Sequence, residues 1–320
     1  MSLSRCNTLF KLSLNRTAIQ ATGTGAMAKR NNSSGAQTAT NPSVEPHFET
    51  LAITKPKPFV FHVELNRPSK LNAFNRQMWI EIKDCFEHLA INPDCRSIVI
   101  SGSGKHFTAG IDLTSMMNLG QELADVDDYA RKGVIVERLI KLYQDSISSL
   151  ERCPKPVIAA VHRGCIGAGV DLITATDIRY STQDAFFQVK EVDIGMAADV
   201  GSLQRLPRVI GNQSLVRELC YTGRRFDAAE AEHCGLLSRV FPDKESMISG
   251  AVALAEIIAT KSPIAIQTTK ESLVYSQEHT NQEGLDHIRI INKLNLQSED
   301  LAQAVAAQLT KDEKPVFAKL

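Results

Sequence analysis

Hydrophobic and polar positions alternate in short blocks along the middle of this chain. Phe59–Leu65 alternates with period two and predicts a strand. Met78, Ile82, Phe86 and Leu89 recur at helical spacing and predict a helix over Asn75–Ala90. Ser97–Ile100 and Val157–Val161 are continuous apolar runs, the mark of strands buried on both faces. A long helical stretch covers Val126–Leu150, and Pro154 and Pro156 stop it before the second buried strand. Gly167–Ala175 starts another helix. Ile178–Ser181 and Ala185–Val189 are short strands around a Gln183-Asp184 turn. Beyond Gly195 the pattern is mostly helical, with one short strand near Ser238–Phe241, and Pro263 stands where a helix favours its first residue. Strands and helices alternate early and helices dominate late, so the expected class is α/β with a helical C-terminal part.

The ends follow other patterns. No acid precedes Glu45, whereas Arg5, Lys11, Arg16, Lys29 and Arg30 are interleaved with Leu3, Leu9, Phe10, Leu12, Leu14 and Ile19 and many hydroxyl residues. That composition predicts a mitochondrial transit peptide, with residues 20–44 a disordered spacer. The chain ends in Ala318-Lys319-Leu320, similar to the S-K-L peroxisomal address. Both compartments, the mitochondrial matrix and the peroxisome, are therefore expected. The division predicted is 1–44 leader and spacer, 45–255 core, 256–317 helical region and 318–320 targeting tripeptide.

Composition narrows the classes. The 320 residues are 43% hydrophobic and 22% charged, enough to bury a full core. The formal net charge is zero, which implies no general attraction to nucleic acid or an anionic membrane. No apolar run approaches the roughly 18 residues that span a bilayer. The seven cysteines are scattered without a C-x-x-C pair, and the histidines show no ligand spacing, so no metal is expected. No G-x-S-x-G elbow, P-loop or dinucleotide fingerprint occurs.

Three segments carry candidate chemistry. Lys105–Leu113 and Gly164–Asp171 each pass from strand to helix through small residues, and Lys190–Asp199 holds Glu191 and Asp199 around Gly195. Small residues at a strand-to-helix turn leave backbone N–H groups unblocked. Two such turns side by side would make an oxyanion hole; equally, the glycines suit tight turns. Asp199 lies between Ala197, Ala198 and Val200, and an acid in an apolar run needs a partner or a task.

The stretches Phe107–Leu113, Cys153–Asp171, Asp184–Asp193 and Ala197–Asn212 resemble the crotonase (enoyl-CoA hydratase/isomerase) superfamily, over about Phe59–Gln297, and most closely its dienoyl-CoA isomerase branch. The resemblance implies a spiral of ββα units with a helical C-terminal trimerisation region, a homohexamer built as a dimer of trimers, and an acyl-CoA thioester as substrate. Coenzyme A would be part of that substrate, and no separate cofactor is implied. It places the thioester at Ala109, Gly110, Ile111, Asp112, Leu113 and Ala168, with the N–H groups of Ile111 and Ala168 as oxyanion donors. The carboxylates of Asp112 and Asp193 are expected to be structural. The implied reaction converts a 3,5-dienoyl-CoA to its 2,4-isomer in the β-oxidation of unsaturated chains. Glu191 would be base at C2, Asp199 acid at C6, and Asp171 a supporting carboxylate. Two departures stand out: Ala168 and Arg163 replace residues that are usually Gly. The alternatives are an enoyl-CoA hydratase, using the positions of Asp171 and Glu191, and a non-catalytic binding protein on the same scaffold.

Overall fold

The two continuous apolar runs lie at the centre of a sheet and are buried on both faces, as their composition predicts. The computed structural model describes residues 47–310 and 315–320. In chain order, β1 (Leu51–Lys57), β2 (Val60–Leu65), α1 (Arg76–Ile91), β3 (Ser97–Gly102), α2 (Leu113–Ala124), α3 (Tyr129–Arg152), β4 (Val157–Val161), β5 (Gly164–Ile166) and α4 (Ala168–Thr174) form the first half. Then come β6 (Ile178–Thr182), β7 (Phe186–Gln188), α5 (Ser202–Val209), α6 (Gln213–Thr222), β8 (Phe226–Asp227), α7 (Ala228–His233) and β9 (Arg239–Phe241). Four helices close the chain: α8 (Lys244–Ala259), α9 (Pro263–Ser276), α10 (Asn281–Asn295) and α11 (Glu299–Thr310).

The main sheet has the order β1-β2-β3-β4-β6-β9, with β1 antiparallel and the rest parallel. A smaller sheet, β5-β7-β8, stands beside it. Strand alternation sorts the core into two layers. Ile98 and Ile100 join Trp79, Ile82 and Phe86 of α1 on one face. Val99, Ile158 and Ala160 turn the other way, onto Met247, Ala251 and Ala255 of α8. The predicted α/β class with late helices is therefore what folds.

The differences have local causes. The strand β1 was not foreseen, because Lys55-Pro56-Lys57 looks like a loop; at a sheet edge, Pro costs no ladder bond. The long helix starts at Tyr129, not Val126, because the Asp128 carboxylate caps the Arg131 N–H at 2.8 Å. The division at 255 falls inside α8, whose apolar face belongs to the sheet. The predicted leader, 1–44, lies outside the described residues. No single described helix is long and apolar enough to cross a membrane.

The helical C-terminal part is tied to the sheet by a buried cation. Lys270 of α9 donates to the carbonyls of Leu150 and Lys155, each at 3.1 Å, and to Asp177 Oδ2 at 2.7 Å. The same carboxylate oxygen accepts the Val157 N–H at 2.7 Å, so one pair joins α9 to the start of β4. Removing the Lys270 ammonium takes a donor from the carbonyls of Leu150 and Lys155, while Asp177 is exposed and keeps the Val157 N–H. Lys270→Ala is expected to lower stability by about 1–3 kcal/mol, read from urea unfolding at fixed protein concentration. A loss under about 1 kcal/mol would show that the pair does not hold α9 in place.

Candidate active site

Two strand-to-helix turns meet at the ends of the parallel strands. Thr108 bridges Cys165: its N–H donates to Gly164 O at 3.0 Å, and Ile166 N donates back to Thr108 O at 3.3 Å. The first turn hangs on Asn72, fully buried, whose amide donates to the carbonyls of Ser103, His106 and Phe107 at 2.8, 3.0 and 3.1 Å. Thr108 Oγ1 donates to Asn72 O at 2.7 Å and accepts the Gly110 N–H at 3.1 Å.

The close approach requires glycine. Gly110 and Gly167 have φ of +89° and +53°, a region that L side chains avoid. A Cβ on Gly110 would lie 2.9 Å from Ile166 O, and one on Gly167 would lie 3.0 Å from Glu191 Oε1. Around these turns Asp112 N bonds Phe74 O and Gly167 N bonds Gln188 O. The N–H groups of Ile111 and Ala168 take no protein acceptor among the described residues. Both residues line one cavity of about 200 Å³. Unpaired donors on adjoining turns facing a cavity are what an oxyanion requires.

The same cavity gathers Asp171, Glu191 and Asp199. Asp171, in the first turn of α4, is wholly buried; its Oδ1 accepts the Ser202 N–H and its Oδ2 has no partner. Glu191 opens the short 3-10 turn after β7, and its buried Oε2 is also unpartnered. Asp199, on the loop before α5, is half-buried, and its carbonyl accepts from Gln144 Nε2 at 2.8 Å. Burial raises the Asp171 carboxyl to about 6, against the pull of the Ser202 hydrogen bond and the Arg205 charge. Glu191 rises to about 7 through burial first and then the nearby Asp171 charge. Burial raises Asp199 as well. Three acids sharing one largely apolar pocket hold a proton near neutral pH, as a general acid–base centre requires.

Of the residues expected at the thioester, Ile111 and Ala168 line the cavity. Ala109, Gly110, Asp112 and Leu113 do not line it, and they supply the turn instead. The Asp112 carboxylate pairs with Arg67 at 3.1 Å and caps the Thr114 N–H at 3.0 Å, the structural part expected of it. Asp193 likewise pairs with Lys190 on the surface, at 2.8 Å. Ala168 is buried and lines the cavity. Arg163 sits at φ +49°, which explains why Gly is usual there; its side chain reaches Asp184 at 3.2 Å.

The sequence reading missed the remaining wall, made by Trp79, Met116 and Leu119, and by Val136, Ile140 and Tyr143 of α3. The Val136–Ile140–Tyr143 spacing was the available signal, but an apolar helical stripe looks the same whether it faces a core or a pocket. Asn72 gave no signal at all.

Comparison with known proteins fits this site. The family model for enoyl-CoA hydratase/isomerase matches residues 57–317. A human protein named Delta(3,5)-Delta(2,4)-dienoyl-CoA isomerase, mitochondrial, is 53% identical over 277 residues, 85% of this chain and 84% of the human one. An Arabidopsis thaliana protein named as the peroxisomal form is 46% identical, over 82% of this chain and 93% of its own. The crystal structure of enoyl-CoA hydratase from Bacillus anthracis superposes with a TM-score of 0.75 at 25% identity, over 84% of this chain and 99% of that one. That of Mycobacterium smegmatis enoyl-CoA hydratase gives 0.73 at 26%, over 85% and 99%. A family model spanning most of the chain, relatives at about half identity and superposable solved structures agree with the paired turns over an acidic pocket: the chain belongs to the enoyl-CoA hydratase/isomerase family.

Proposed function

We propose that the protein isomerises a 3,5-dienoyl-CoA to the conjugated 2,4-dienoyl-CoA during β-oxidation of unsaturated fatty acids. The observation that carries this reading is Asp199, a third carboxylate in the pocket that already holds Glu191. The names of the relatives at about half identity support it.

The chemistry follows from the wall. Glu191 takes a proton from C2, and the negative charge passes to the thioester oxygen. That oxygen accepts from the Ile111 and Ala168 N–H groups, each such donor being worth about 3–4 kcal/mol in the transition state. Conjugation extends the charge to C6, four bonds away and beyond the reach of the same carboxylate. Asp199 protonates C6. The free cavity leaves Asp199 half open to water, so its proton affinity rises further when an acyl chain fills the pocket. Asp171, fixed by Ser202 N–H, adds negative charge beside Glu191 and strengthens it as a base.

The alternative, an enoyl-CoA hydratase, would use Asp171 and Glu191 around a water. It leaves Asp199 idle, and it would work with an Asp171 that has one oxygen already taken by the Ser202 N–H. A non-catalytic scaffold would have no use for three acids raised by burial in one apolar pocket.

The proposal extends to assembly and location. Leu285, Ile290 and Leu294 of α10 and Val305 and Leu309 of α11 are exposed apolar residues, consistent with helices that pack between subunits in a homohexamer of two trimers. Relatives are named for the mitochondrion and for the peroxisome, and both are proposed here. The terminal tripeptide lies on the body of the protein, with Ala318 O bonded to Arg96 at 3.0 Å and Lys319 paired with Asp94.

Three outcomes are expected. Purified protein should convert 3,5-dienoyl-CoA, followed by the near-ultraviolet absorbance of the conjugated product, far faster than it hydrates 2-enoyl-CoA; the reverse preference would support the hydratase. Asp199→Asn should lower the isomerase rate by about 10²–10⁴-fold with the fold intact; full activity in that variant would sink the assignment. Glu191→Gln should also lose activity yet gain stability at high pH. The folded-state pKa of Glu191 lies above the unfolded value, so its contribution is fully present below the unfolded pKa and fades as pH rises through about 7. Replacing it should therefore stabilise the protein at pH 8 by about 1–3 kcal/mol, and the gain should vanish toward pH 4.5. A pH-independent difference in unfolding free energy would show that Glu191 does not bind its proton more tightly in the fold.

A further inference from the structure

A second cavity, of about 350 Å³, lies between α3 and α5, lined by Gln144, Ser148 and Glu151 on one side and Gln204 and Arg205 on the other. Asp199 and Val200 line both cavities. The two differ in chemistry. The first is walled by aromatic and aliphatic side chains apart from its acids, and the second by hydrogen-bonding groups. Arg205 organises the second, donating to Ser148 Oγ at 2.9 Å and to Glu151 Oε2 at 2.7 and 3.1 Å. Gln144 fixes the backbone of Asp199 from the same side. At the rim, Arg208 and Glu278 form an exposed pair at 3.0 Å, so the cavity opens to solvent.

Each isomerisation leaves the acids out of balance. The C2–H bond breaks, its proton goes to Glu191, and its electron pair enters the dienolate. The Asp199 O–H bond breaks and the C6–H bond forms. Glu191 then holds one proton too many and Asp199 one too few. An acyl chain filling the apolar pocket keeps water from reaching Asp199 on that side. The polar cavity that Asp199 also lines is roomy enough for several waters and offers them partners.

We propose that the cavity between α3 and α5 is the route by which solvent returns a proton to Asp199 after each turnover, while Glu191 discharges its own separately. The inference rests on the isomerase reading above. A hydronium or buffer acid in the cavity transfers H⁺ to the Asp199 carboxylate, Glu191 releases H⁺ to solvent, and no oxidant or further reactant is needed. Ser148, Glu151 and Arg205 act by holding the cavity open and hydrated; they are positioning residues that do not touch the substrate.

The test uses 3,5-dienoyl-CoA carrying deuterium at C2, the full-length protein in ordinary water, and two plugs on opposite walls, Ser148→Leu and Gln204→Leu. The wild type should place protium at C6 of the product, and in D₂O with unlabelled substrate it should place one deuterium there. Each plug should lower kcat about tenfold with KM within about twofold, and C2-derived deuterium should begin to appear at C6. A merely structural disturbance would not move the label. Transfer of C2 deuterium to C6 by the wild type would overturn the route, as would plugs that leave both kcat and the label pattern unchanged. Failure of the wild type to turn over any 3,5-dienoyl-CoA would overturn the isomerase reading, and the route with it.

Discussion

The structure depends on one close backbone approach, between the turn that precedes α2 and the turn between β5 and α4. Gly110 and Gly167 come so near that a Cβ on either would lie under 4 Å from the other's Cα. Everything at the site is measured from that contact. It sets the spacing of the Ile111 and Ala168 N–H groups, and it seats Glu191 against Gly167. The contact survives because the parallel sheet delivers both strand ends side by side, and because the bridge between Thr108 and Cys165 extends the pairing past them. Asn72 then spends three amide bonds on the first turn, so the donor geometry does not rely on loop entropy alone.

Stability and chemistry pull in opposite directions at the acids. Asp171 and Glu191 each keep a buried oxygen without a partner, a cost that a structural site would avoid. Burial, before any other cause, raises these two carboxyls to about 6 and about 7. Elsewhere Lys270 has three acceptors, and most of the longer helices begin on a side-chain cap. Strain is placed similarly. Arg163 occupies a left-handed position at the start of the second turn, where the ion pair to Asp184 and the backbone bond from Phe186 N to Arg163 O keep it.

Much of this was legible in the sequence. The buried strands announced themselves as apolar runs, and Asp199 as an acid within one; Asp171 and Glu191 were picked out by the family resemblance. What stayed hidden was whatever depends on long-range contact. The amide of Asn72 meets carbonyls some thirty residues away, and no local pattern records that. The pocket wall at Trp79, Met116 and Tyr143 was not singled out, because periodicity reports a buried face without saying whether it meets another side chain or a space. The edge strand β1 was concealed by a proline that only its position at the sheet edge makes harmless.

The three carboxylates, equivalent by residue type, are distinguished by what each can reach. Asp171 is enclosed and bonded to the start of α5, so it serves as a fixed charge. Glu191 lies on a 3-10 turn held against the glycine of the second turn, and in the proposed reaction its reach is to the carbon beside the thioester. Asp199 sits on the loop that separates an apolar space from a polar one, and it is the most open of the three to water. An acid that must give up a proton on every cycle is best placed where it touches both the substrate and a supply. On that argument the loop from Met196 to Gly201 matters as a wall between two environments, and in the proposed reaction the side chain that stands in the wall is the one that commits the scaffold to moving a conjugated system instead of adding water.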